Sequence, residues 1–144
     1  MSVLWFDGLL AEVADAGVYF LPDSDIDELR EATAVNRFAC LRIDLRHCRD
    51  KQGLLDRLAE ALHFPAHFGR NWDALADSLA DLRRGDVPGF VLLFEHSETM
   101  RRAASADFKT AMEVLQAACR DWAGRCTPFW CFIALPDDEF AALD

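Results

Sequence analysis

Three aspartates recur at steps of four, Asp73, Asp77 and Asp81. Carboxylates at that spacing can do two kinds of chemistry. A pair such as Asp73 and Asp77 can act as general acid and general base, but only inside a pocket that sets their protonation apart. A row of them can instead present fixed negative charge to a cationic site on another molecule. A second candidate is the adjacent pair His47 and Cys48, a base beside a thiol. The histidines and that cysteine (His47, Cys48, His63 and His67) lack standard ligand spacing for zinc, so no metal is expected. There is no GxGxxG, P-loop or GxSxG motif, and no cofactor is expected.

The elements around the aspartates decide between these chemistries. Pro65 and Gly69 punctuate a loop, and Asn71 stands where a helix N-cap would stand. From there Trp72, Leu75, Leu79 and Leu82 fall on one helical face. At about 100° per residue the carboxylates centre roughly opposite that face. They spread over roughly 12 Å at 1.5 Å rise per residue. Ala76 and Ala80 flank the acidic side and are small enough to let a partner surface come close. An exposed helix face gives the aspartates no pocket, so hydrolysis is not the expected chemistry. An anionic plug for a cationic site is.

The residues 64–82 also carry a family pattern. Pro65, His67, Phe68, Gly69, Asn71, Asp73, Ala74, Leu75, Asp77 and Leu79 stand at the spacings of a run found in the barstar family. Those proteins are intracellular inhibitors of secreted microbial ribonucleases. The resemblance extends more loosely over residues 38–135 and does not obviously cover 1–37. It implies a three-stranded parallel sheet and a partner that is a small basic ribonuclease or toxin. It implies that Asp77 enters the cationic centre of the nuclease, with Asp73 beside it. His67 matches a position where an aromatic packs on the nuclease, and Gly69 and Asn71 match the binding loop. Three departures stand out. Ala76 replaces an aromatic between the two aspartates, and His67 replaces a tyrosine. A carboxylate supplied by a later helix aligns poorly, with Asp121 nearest and Glu113 possible.

The bulk composition agrees with an interaction with a basic protein. The chain has 144 residues, enough for one domain, and a formal net charge of −10. That balance disfavours direct nucleic-acid binding and favours fast, salt-sensitive association with a basic protein. Five cysteines, an odd number, contain no CxxC pair. The start carries Asp7, Glu12 and Asp15 and no basic run, and no apolar stretch reaches the ~18 residues of a membrane span. The expectation is a cytoplasmic protein with reduced thiols.

The rest of the pattern predicts an α/β fold: a barstar-like parallel sheet of three strands, extended by an N-terminal helix and a fourth strand. Val3, Phe6, Leu10 and Val13 mark the first helix, ending by Gly17. Apolar strands are expected over 18–21, 38–45, 90–94 and 129–135. Helices are expected after Ser24 or Asp25, over 51–62, and over 104–122. The strand at 18–21 is expected to join through a βαβ unit, and the acidic tail from Asp137 to be mobile. Residues 38–135 form the core of a single domain, with 1–37 as an extension. Two alternatives to a ribonuclease inhibitor remain on sequence grounds: an acidic interaction module for another basic partner, and an enzyme using Asp73 and Asp77 or His47 and Cys48.

Overall fold

The computed structural model describes Leu10 and residues 12–82 and 85–143. Val3 and Phe6, expected on the first helix, lie outside the described residues. Leu10 is helical, and the segment closes on a 3-10 turn, Val13–Asp15, before Gly17.

Four strands form one parallel sheet: β1 (Val18–Pro22), β2 (Ala39–Asp44), β3 (Phe90–Glu95) and β4 (Phe129–Leu135). The sheet therefore has four strands where the family resemblance implies three. The added strand is β1, and it joins through the expected βαβ unit: β1, the helix Ile26–Val35 and β2 follow in order with the two strands parallel, and the crossover passes over two strands. The spatial order is β1-β4-β3-β2, so β1 pairs with β4, and β1 and β2 are the two edges. Pairing puts Val18 opposite Cys131 and Ala39 opposite Phe90.

That order explains how the helices are distributed. The path β2→β3→β4 steps across the sheet in one direction, and right-handed crossovers put all its helices on one face. These are α2 (Lys51–Leu62), α3 (Trp72–Ala80), the short α4 (Glu98–Ala103) and α5 (Ser105–Gly124). The path β1→β2 runs the opposite way, so α1 (Ile26–Val35) covers the other face. The core splits accordingly. Leu54, Leu58, Leu75, Leu79 and Leu115 meet Phe90, Leu92, Cys131 and Ile133 on one side. Leu10, Leu29 and Ala32 meet Val91, Leu93, Trp130 and Phe132 on the other. β3 and β4 are buried on both faces, which is why they read as unbroken apolar runs.

Two local features depart from expectation. The helix expected over 104–122 is preceded by a separate turn of helix, α4, with the break at Ala104. The tail is not loose. Residues Asp137–Ala141 form α6, the Asp137 carboxylate accepts from the Ser24 N–H at 3.0 Å, and Glu139 pairs with Arg101. Phe140 packs against the larger core cluster. These partners hold the segment in place despite its acidity.

Candidate functional site

The acidic helix is positioned from both ends. Upstream, α2 stops at His63, which adopts the left-handed conformation (φ 56°) while the Phe64 N–H returns to the Ala59 carbonyl at 2.9 Å. This is a Schellman-type stop, which uses a left-handed residue to satisfy the last carbonyls. The chain then turns tightly, with the Phe68 N–H on the Pro65 carbonyl, and the Phe64 and Phe68 rings meet at 5.0 Å. The left-handed residue before α3 is Arg70 (φ 51°), not Gly69. Arg70 is also ion-paired to Asp56 on α2 at 2.7 Å. A Cβ at Gly69 would lie 3.4 Å from Ala74 and from the Asn71 amide, ordinary contact. So glycine there is not demanded by backbone conformation.

Asn71 is the N-cap. Its Oδ1 accepts from the Ala74 N–H at 2.7 Å, and its Nδ2 reaches the Gly69 carbonyl at 3.4 Å. Its side chain thereby starts the helix. Downstream, the Trp122 indole donates to the Leu79 carbonyl at 3.0 Å, and the Arg125 guanidinium donates to the Ala80 carbonyl at 3.1 Å. Arg125 also lies 3.7 Å over the Trp122 ring. A cation on the last carbonyls offsets the negative end of the helix dipole, where Asp81 adds a further charge.

Between these supports Leu75 and Leu79 are fully buried, while Asp73, Ala76, Asp77 and Asp81 are exposed. Ala80 is half-buried. The helix ends at Ala80, so Asp81 is its C-cap rather than its last turn. The structure corrects the expectation that this face has no concavity. An open groove of about 960 Å³ runs along it. Asp77, Ser78 and Asp81 line one side, His63, Phe64, His67, Phe68 and Gly69 another, and Leu41, Leu62, Leu82, Val87 and Phe90 also line it. The structure thus brings His67, Gly69, Asp77 and Asp81 to one groove. Asp73, Asn71, Ala76 and Ala80 stand outside its lining.

Asp121 lies on α5 and is exposed, with its carboxylate ion-paired to Arg125 at 2.5 Å. That places it near the end of α3, bridged by Arg125, but already partnered. Glu113 is exposed on the same helix.

The groove's other members carry no local mark in the sequence. Leu41 comes from one stretch and Val87 and Phe90 from another, and they meet only through the β2–β3 pairing. Phe90 opens β3, Val87 precedes it, and Leu41 lies in the amino-terminal half of β2. Open α/β sheets bind nucleotides and similar ligands outside the carboxyl ends. The groove is at the opposite end.

The thiol–imidazole pair does not come together as a nucleophile. Cys48 is buried with its sulfur 3.9 Å from Met100, while His47 is exposed. Burial pushes the Cys48 thiol up, away from the thiolate a nucleophile needs. Asp73 and Asp77 do not share a pocket either, since only Asp77 lines the groove.

A family model described as Barstar (barnase inhibitor) matches residues 38–134. No curated protein matches the chain. Among solved structures, the Aeropyrum pernix ORC2 protein (ADPNP-ADP complexes) is similar with a TM-score of 0.57 at 11% identity, over 97% of this chain and 41% of that one. The chain thus spans about two fifths of the length of that protein, and at this identity the likeness is one of fold alone.

Proposed function

The chain belongs to the barstar family, and on that premise we propose that it is a protein inhibitor of a basic ribonuclease. The observation that carries this reading is α3: a helix fixed at both ends that shows Asp73, Asp77 and Asp81 outward, preceded by an equally fixed loop with His67 exposed.

A ribonuclease active site binds phosphates, so it is lined with arginine, lysine and histidine. Rigid carboxylates at that surface compete for the same cations. A guanidinium takes a carboxylate through two parallel N–H···O bonds, giving strength and direction together. Asp77 enters the cationic centre and Asp73 engages beside it. His67, Gly69 and Asn71 form the adjoining loop surface, and Ala76 and Ala80 let the partner approach the helix. Asp81 extends the acidic field, and Asp121 joins from α5 if Arg125 releases it. The net charge of −10 steers a basic partner toward the complex. The protein performs no catalysis in this scheme. It protects its own cell from the nuclease, as an immunity protein or antitoxin acting in the cytoplasm. No helix among the described residues is long and apolar enough to cross a membrane.

The test is inhibition of a panel of small basic ribonucleases by the purified chain at low and high salt, with Asp77→Lys alongside. Inhibition that weakens with salt and disappears in the variant supports the proposal. Inhibition retained by a folded Asp77→Lys protein overturns the plug. No inhibition of any member, with capture of a different basic protein from the native cell, assigns the acidic face to that partner instead.

A further inference from the structure

We propose that the outer edge of β1 takes up an extended segment of another protein as a fifth strand, a segment with adjacent apolar residues flanked on both sides by lysine or arginine. β1 and β2 are opposite edges of the sheet, three strand spacings or about 14 Å apart, and the acidic groove lies on the β2 side. The inference therefore goes beyond the inhibitor reading and does not rest on it.

The backbone opens the edge. Among the described residues β1 pairs with β4 alone. In that parallel ladder the Cys131 N–H takes the Gly17 carbonyl at 3.0 Å, which turns Gly17, Tyr19 and Leu21 inward and Val18 and Phe20 outward. The Val18 N–H is already held by the Gln116 side chain of α5 at 3.0 Å. Pro22, next on the outward side, has no N–H. Val18 and Phe20 therefore leave open the Phe20 N–H and two carbonyls. A strand added in either direction meets those groups with three hydrogen bonds. Gln116 and Pro22 close the ladder on each side, so the added segment is short and its register fixed.

Side chains set the middle of the segment. Tyr19 and Phe20, two of the few large apolar or aromatic side chains exposed among the described residues, are neighbours on this edge, each 44% exposed. Strand alternation puts them on opposite faces of the sheet. Tyr19 lies beside Trp130 and Phe132, with ring centroids at 5.7 and 6.2 Å, and Phe20 is on the face of α5. Adjacent apolar residues on an added strand cover both rings. Charge sets its ends. Exposed Glu12 and Asp15 precede β1, exposed Asp23 follows it, and Asp137 stands beside Asp23 on the Ser24 N–H. On α5 the exposed neighbours of Gln116 one turn away, Glu113 and Arg120, offset each other. Acid at both ends disfavours a second copy of this chain, because antiparallel pairing about Phe20 would set the Asp15 end of one protomer against the Asp23 end of its partner. Basic flanks are attracted at both ends.

The experiment titrates the full chain, isotope-labelled, with the blocked peptide acetyl-Lys-Arg-Val-Phe-Val-Arg-Lys-amide. Two counterparts are run beside it: one with glutamates as flanks, and one N-methylated at its three apolar residues, which keeps side chains and charge and loses the ladder donors. The basic peptide is expected to shift the amides of Tyr19, Phe20 and Leu21, to slow solvent exchange of the Phe20 amide, and to bind at least about tenfold tighter than either counterpart at low salt. Phe20→Lys, which removes the ring and adds a like charge to the edge, should abolish those shifts. If that variant does not fold, the N-methylated peptide on the parent chain decides. Equal binding of the basic and acidic peptides, undiminished binding after N-methylation, shifts confined to other surfaces, or none, overturns the proposal. Shifts at β1 that appear on concentrating the chain without peptide assign the edge to a second copy and also overturn it. A folded Phe20→Lys protein should inhibit a cognate ribonuclease as the parent does, so the failure of either proposal leaves the other standing.

Discussion

The indole N–H of Trp122 ends on the carbonyl of Leu79 at 3.0 Å, tying the long helix α5 to the last turn of the acidic helix α3. Both residues are buried, so the bond is shielded from water. Trp122→Phe keeps an aromatic ring and removes the donor. It should cost about 1–3 kcal/mol, the penalty of an unsatisfied buried carbonyl together with lost packing. Urea unfolding should show the midpoint falling with little change in slope.

The N-cap is a second, independent support. Asn71→Ala removes the acceptor for the Ala74 N–H and should lower stability by roughly 0.5–2 kcal/mol. Asn71→Asp and Asn71→Ser keep an acceptor and should recover most of it. If all three variants inhibit a cognate nuclease as the parent does, the role of Asn71 is the cap alone.

Asp77 and Asp81 should be unequal. Asp77→Asn removes a charged acceptor from the centre of the proposed interface and should weaken binding by about 1.5–3 kcal/mol, roughly ten- to a hundredfold. Asp81→Asn, at the C-cap, should lower the association rate and its salt dependence more than it raises the dissociation rate. Stopped-flow mixing at two ionic strengths reads both constants.

Acid stability carries a defined signature at α6. The Arg101 guanidinium beside Glu139 holds that carboxyl below its usual value. The folded state therefore binds the proton more weakly than the unfolded chain does. The stability it contributes is complete above the unfolded value, about 4.3, and is lost as pH falls through the folded one. The pair is partly exposed, so the effect is below about 1 kcal/mol. Glu139→Gln should flatten the acid limb of a stability-against-pH curve and leave the neutral plateau slightly lower.

What could be read in the sequence was local. Lys51–Leu62 follows from its leucines, and the structure adds a cap that went unread, the Asp50 carboxylate accepting from the Gly53 N–H at 2.8 Å. The acidic face and Asn71 follow in the same way, because cap and stripe lie within one helix. Whatever depends on distant partners was not readable. The tail is pinned by Ser24 and Arg101, far away in the chain. The groove needs Leu41, Val87 and Phe90 to converge. The left-handed turns at His63 and Arg70 fall on residues that do not announce them, as a glycine would. The edge position of β1 was equally hidden, since an apolar run does not name the strand it will pair with.

The pairing of β1 with β4 sets a clock on synthesis. Val18 waits for Cys131, which is 131 − 18 = 113 residues later. At about 5–20 residues per second that interval is roughly 6–23 s, during which an apolar strand on the growing chain has no partner. β1 can join the sheet only once residue 131 has been made. The acidic helix likewise gains its final support from Trp122 only late in that interval.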